Sequence, residues 1–154
     1  MNEQPPGNEN TQSSASASTS GPGFAKHPNY EVKISDSSSR LRVLVGDTVV
    51  ADTTRALAVE ESRHHPVWYL PMEDLDGSLL QPTETSTYCP FKGHASYWSI
   101  NIDGETIPDA VWSYPDPYLE CLRLTGYVSF YTDQVQLEID GERQAQVAPG
   151  WSDR

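Results

Sequence analysis

The sequence predicts a mainly β protein: a small antiparallel domain with one short helix, preceded by a tail. Three observations lead there. Apolar runs of four to seven residues recur through the chain, turn pairs such as Gly46-Asp47 and Asp103-Gly104 sit beside them, and the N-terminus is of low complexity. A chain of 154 residues with 12 Pro and 10 Gly suits one domain and can bury about two-thirds of its unfolded surface.

Residues 1–38 differ in texture from the rest. The run TQSSASASTSGPG, 11–23, mixes Ser, Ala, Thr, Gly and Pro, and such a segment cannot offset its ordering entropy by burial. Residues 1–38 are therefore expected to be a disordered tail, 39–145 the domain, and 146–154 a C-terminal tail. LRVLV (41–45), Gly46-Asp47 and TVVAD (48–52) read as a hairpin, because β-branched runs flank a two-residue turn. RALAVEE (55–61) sets Ala56, Ala58 and Glu60 against Leu57, Val59 and Glu61, a third strand. VWYL (67–70) is an aromatic strand between Pro66 and Pro71, and ASYWSIN (95–101) precedes the Asp103-Gly104 pair. GYVSFYT (126–132) and VQLEID (135–140) alternate strongly across Asp133-Gln134. The single helix is expected over 118–124, with Asp116 as N-cap and Pro117 at the first helical position. There is no internal repeat.

Charge narrows the function classes. Ten Lys+Arg face 22 Asp+Glu, a net charge of −12. Four of the acids and two of the bases precede Arg40, so 18 acids and 8 bases follow and the domain itself carries −10. Such a surface repels phosphate backbones and anionic lipid, so neither nucleic acid nor membrane is an expected partner. No apolar run reaches the ~18 residues of a membrane helix, and no basic start leads into an apolar stretch. Cys89 and Cys121 are too few for a disulfide framework. An acidic cytoplasmic protein is expected.

The stretch TETSTYCPFKGHASYWS (83–99) holds the richest chemistry. Thr87 to His94 are expected to form a loop between strands. Pro90 fixes its own φ and Gly93 can enter the left-handed region, which would hold Cys89 and Lys92 in a set relation. A nearby ammonium favours the thiolate and makes Cys89 a candidate nucleophile. Lys92 could instead pair with a substrate anion. The structural alternative is a small buried Cys89, with Lys92 capping a carbonyl or pairing with Glu60. Glu60 and Asp74 are the candidate proton carriers. Glu60 and Glu61 point to opposite faces of one strand, so at most one faces a pocket, and most acids of so acidic a domain are simply solvated. Tyr69, Tyr97, Trp112 and Tyr114 could wall a small-molecule pocket or serve as core. His64, His65, His94, Cys89 and Cys121 are zinc ligands by type, yet no Cys-x-x-Cys pair exists and adjacent histidines on an extended chain diverge. No metal or cofactor is expected. P-loop, dinucleotide-binding and nucleophile-elbow motifs are missing from the sequence.

These residues also carry a resemblance. Ala51-Asp52-Thr53, Ala56-Leu57, Val59-Glu60, Pro66 to Pro71 with Asp74, the block Thr87 to Trp98, Val111 to Pro117, and Gly126 to Tyr131 together resemble domain-of-unknown-function family 427, which also carries a nucleotidyltransferase-like label. The likeness spans Arg42 to about Asp140, and its Cys-Pro-Phe-Lys-Gly block is specific. It implies a β-tent-like domain, two antiparallel sheets meeting along one edge, similar to zinc-binding relatives but without their cysteine pairs. The transferase label finds no chemical support in the residues. Asp74 and Asp76 could pair on Mg²⁺, but no phosphate-cradling loop lies beside them.

Two functions follow. In the first, a small enzyme uses Cys89 as nucleophile or polarising group, Lys92 to lower its pKa or hold a substrate anion, and Glu60 or Asp74 to move protons. Its pocket is walled by Tyr69, Tyr97, Trp112 and Tyr114, with Thr87 and Gly93 contributing to ligand binding. In the second, the same pocket binds a small ligand or a peptide end without turnover.

Overall fold

The structure, a computed structural model, describes residues 19–148. It is mainly β, built from two antiparallel sheets. The elements are a short helix α1 (Pro22–Lys26) and strands β1 (Val32–Asp36), β2 (Leu41–Val45), β3 (Thr48–Thr53), β4 (Leu57–Glu61), β5 (Val67–Pro71), β6 (Leu80–Cys89), β7 (Gly93–Ile102), β8 (Glu105–Ser113), β9 (Tyr127–Phe130), β10 (Gln136–Ile139) and β11 (Glu142–Arg143). The larger sheet runs β1-β4-β5-β9-β8-β7-β6, and the smaller β11-β10-β2-β3.

Alternation explains how one sheet serves two interiors. Leu70, Ile100, Val111 and Phe130 of the larger sheet pack with Leu41, Val43, Val50 and Leu137 of the smaller one. Their neighbours in sequence, Tyr69 and Trp112, project from the opposite face, where they join Leu57, Val59, Ala95, Tyr97, Cys121 and Leu124. Successive strand residues face opposite ways, so the first face is an aliphatic core and the second an aromatic one.

Several expectations need correction. The predicted tail is ordered from residue 19 onward: α1 and β1 lie inside it, and β1 pairs with β4, Ile34 opposite Val59. Val32 and Ile34 pack on the aromatic cluster, and that burial offsets the entropy of ordering the segment. The remainder of that expectation, residues 1–18, lies outside the described residues, as do 149–154. Residues 146–148 are held at Gln146, which donates to the Val135 carbonyl (2.9 Å), and at Val147, whose carbonyl accepts from Thr132.

Thr87 to His94 are not a loop. Thr87–Cys89 end β6, Gly93 and His94 begin β7, and only Pro90, Phe91 and Lys92 turn between them, with Cys89 opposite Gly93. β6 is an exposed edge strand with Pro82 and four Thr or Ser, so no apolar alternation marks it. The helix over 118–124 is a 3₁₀ segment, Leu119–Leu124, broken at Cys121 (φ −122°). Tyr118, rather than Asp116, precedes it, because the Tyr118 N–H donates to the Lys92 carbonyl (2.9 Å) and draws the chain onto the hairpin turn. Among the described residues, no helix is long and apolar enough to cross a membrane.

Candidate functional site

The aromatic face carries a cavity of about 380 Å³. Its floor is made by Tyr69 on β5, Tyr97 on β7 and Trp112 on β8, and its rim by the β6–β7 turn with Cys89 and Lys92. Trp112 Nε1 donates to the Tyr69 hydroxyl (3.2 Å), with the rings edge to face. The turn is fixed from both sides. The Gly23 N–H donates to the Pro90 carbonyl (2.9 Å), and the Cys121 thiol lies 3.6 Å from the Phe91 carbonyl. Gly93 sits at φ +118°, and a Cβ there would stand 3.2 Å from the Asp116 carbonyl oxygen, so glycine is needed for both conformation and space.

The polar centre is an ion pair. Lys92 Nζ donates to Glu61 Oε1, and the two side chains are only 6% and 7% exposed. The Tyr30 hydroxyl donates to Glu61 Oε2 at 2.5 Å, and His64 Nδ1 lies 3.3 Å from the same hydroxyl. Burial opposes ionisation of Glu61, but the Lys92 charge, the hydrogen bonds from Lys92 and Tyr30, and His64 together outweigh it, so the carboxyl lies below the usual range. Burial, then the bond to Glu61, raises the Tyr30 phenol, and burial also raises Tyr69 and Tyr114. These phenols stay protonated at neutral pH. Burial first of all pushes the Cys121 thiol up to about 12, which removes it from thiolate chemistry. Cys89 is the half-buried free thiol on the cavity wall.

The sequence candidates divide cleanly. Cys89, Lys92, Tyr69, Tyr97, Trp112 and Tyr114 share the cavity. Thr87 stands beside it, its hydroxyl 2.9 Å from that of Tyr97, and Gly93 shapes the turn. Glu60 and Asp74 are elsewhere. Glu60 is exposed opposite Lys33 on β1. Asp74 accepts from Thr53 Oγ1 (2.7 Å) and lies 3.2 Å from the Arg55 guanidinium, away from the aromatic face. Glu61, rather than Glu60, lines the cavity, since parity places it with the buried Leu57 and Val59.

Tyr30, His64 and Phe91 also line the cavity. Tyr30 stacks on Phe91 with centroids 3.8 Å apart and planes at 10°, and Phe24 meets Phe91 edge-on at 5.0 Å. The aromatic residues Phe24 and Tyr30, just beyond the Ser/Ala run, were the signal available for this arm. A turn at Ser62 and Arg63 (Arg63 φ 65°) separates His64 and His65 from β4. Among the described residues, no three His, Cys, Asp or Glu side chains group around a common point where a metal ion could sit.

Residues 33–141 match the family model described as Domain of unknown function (DUF427), with its nucleotidyltransferase label. The chain belongs to the DUF427 family. No curated protein compared with the chain matches it. The DUF427 match begins after Tyr30, so one wall of the cavity comes from residues ahead of the matched domain.

Proposed function

We propose that the aromatic cavity is a small-molecule-processing site, with Cys89 as the reactive group, Lys92 as the donor that orients the ligand, and Glu61 as the anion that holds Lys92 in place. The observation that carries this reading is the presence, in one cavity of about 380 Å³, of a free half-buried thiol and a buried Lys–Glu pair. The volume lies within the range of small-ligand pockets, and aromatic walls with few oriented polar groups are their usual lining. The net charge of −12 and the two free cysteines suit a reducing cytoplasm and a small-molecule partner rather than nucleic acid or membrane. The transferase label gains no support, since the cavity has one carboxylate and its neighbour is an ammonium.

A second reading, a binding module without turnover, is favoured by the pairing of Lys92 with Glu61, which occupies the ammonium on a buried partner rather than on the thiol. A metabolite panel screened by thermal shift, followed over time by mass spectrometry, separates the two. The enzyme reading expects a stabilising compound to be consumed by the wild type and spared by Cys89→Ser. Stabilisation without consumption supports the module, and no stabilisation by any compound counts against both.

A further inference from the structure

We infer that the cavity selects small, planar, uncharged ligands over anionic ones such as phosphate esters and carboxylates, because its buried ammonium is already neutralised by a buried carboxylate. This rests on the proposed small-molecule site and names its substrate class.

The charges on the cavity wall are few. Glu61 and Lys92 face each other, and His64 is the remaining lining residue that can carry a cation. Glu61 is engaged at both oxygens, Oε1 by Lys92 and Oε2 by Tyr30. An anion entering the cavity would compete with Glu61 for Lys92, and whichever carboxylate or phosphate lost would be left buried beside apolar rings. That state is costly. A neutral ligand meets no such conflict. The bond to Glu61 uses one of three ammonium N–H groups, and the others can donate to a carbonyl oxygen or ring nitrogen while the pair stays intact.

The walls supply the preference for flat molecules. Tyr69 and Trp112 are locked by their mutual hydrogen bond, Tyr30 is locked against Phe91, and Trp112 also packs on Tyr131 with centroids 4.7 Å apart. Rigid rings offer stacking faces at small entropic cost. The whole protein, at −12, adds a field that disfavours anions.

Cys89 makes the selectivity measurable with matched probes. Iodoacetamide and iodoacetate are similar in size, and both alkylate by the same step. The thiolate sulfur forms a bond to the CH₂ carbon, iodide leaves with the C–I electron pair, and the thiol proton passes to buffer. Rates at Cys89 are read on the native full-length protein by peptide mass spectrometry. The pH is held at 8, above the ordinary histidine range. The neutral thiol 2-mercaptoethanol provides the intrinsic ratio. The expected result is an iodoacetamide-to-iodoacetate ratio at Cys89 about tenfold above that reference, the low end of what a local field does to an ion's concentration. Glu61→Gln, checked for folding by circular dichroism, frees the ammonium and is expected to bring the ratio below the reference.

A wild-type ratio at or below the reference overturns the inferred ligand class while leaving the site in place. Cys89 that resists both reagents in the native protein, yet reacts with both in urea, overturns the cavity reading and this inference with it.

Discussion

The two faces of the seven-stranded sheet are made by the same strands and do opposite things. On one, Leu70, Val111 and Phe130 meet the smaller sheet in an aliphatic interior. On the other, Tyr69 and Trp112, each one residue away in sequence, surround a cavity with a buried ion pair at its rim. The first face buries side chains with no polar atoms and so needs only volume and shape. The second buries hydroxyls, an indole N–H, an ammonium and a carboxylate, each of which needs a partner. The first face is closed against the smaller sheet, while the second keeps an opening.

Breaking the polar face should cost most. Glu61→Ala leaves Lys92 charged, buried and unpaired, and is expected to destabilise by about 3–5 kcal/mol in urea titration. Joint replacement, Glu61→Leu with Lys92→Met, should restore most of that loss. The same pair sets the acid limit. Because the folded Glu61 carboxyl lies below its ordinary value, its contribution is complete above about pH 4.3 and disappears as pH falls through the folded value. Stability measured against pH should therefore decline on acidification below that point, and less steeply in Glu61→Gln.

Cutting into the aliphatic face sharpens the contrast. Ile100 is fully buried, and Ile100→Ala should cost about 3 kcal/mol while leaving the relative alkylation rates at Cys89 unchanged. Tyr30→Phe removes one hydrogen bond to the Glu61 carboxylate and keeps the ring stacked on Phe91; a loss of about 1.5 kcal/mol is expected by the same titration. The smallest effect on stability belongs to Cys89→Ser, within about 0.5 kcal/mol on a half-exposed wall, with loss of labelling at that position.

Much of the fold was legible, because its periodic parts obey simple rules. The β2–β3 hairpin follows from Gly46, which adopts φ +58° between β-branched runs, and β7 joins β8 at Asp103-Gly104 as expected. β9 and β10, two alternating runs separated by Asp133-Gln134, lie in different sheets, since alternation reports which residues share a face and not which strands pair. The site was half legible. The Cys-Pro-Phe-Lys-Gly block located the turn, and parity in β4 already grouped Glu61 with Leu57 and Val59. Glu60 lies on the exposed face, away from the cavity, and a charged residue on an apolar face looks like an error until its partner is known. Phe24 and Tyr30 mark an aromatic arm in the sequence, but its docking place is set by a long-range stack on Phe91 that no local pattern gives.

The arm that carries Tyr30 also imposes an order on assembly. Translated at about 5–20 residues per second, Tyr30 leaves the ribosome about 3–12 s before Phe91. Until the β6–β7 turn emerges, Tyr30 lacks the Phe91 ring on which it stacks, and the Glu61 carboxylate it bonds lacks Lys92. The pocket is therefore the late joint of the molecule, closed when a segment made early meets a turn made long after it.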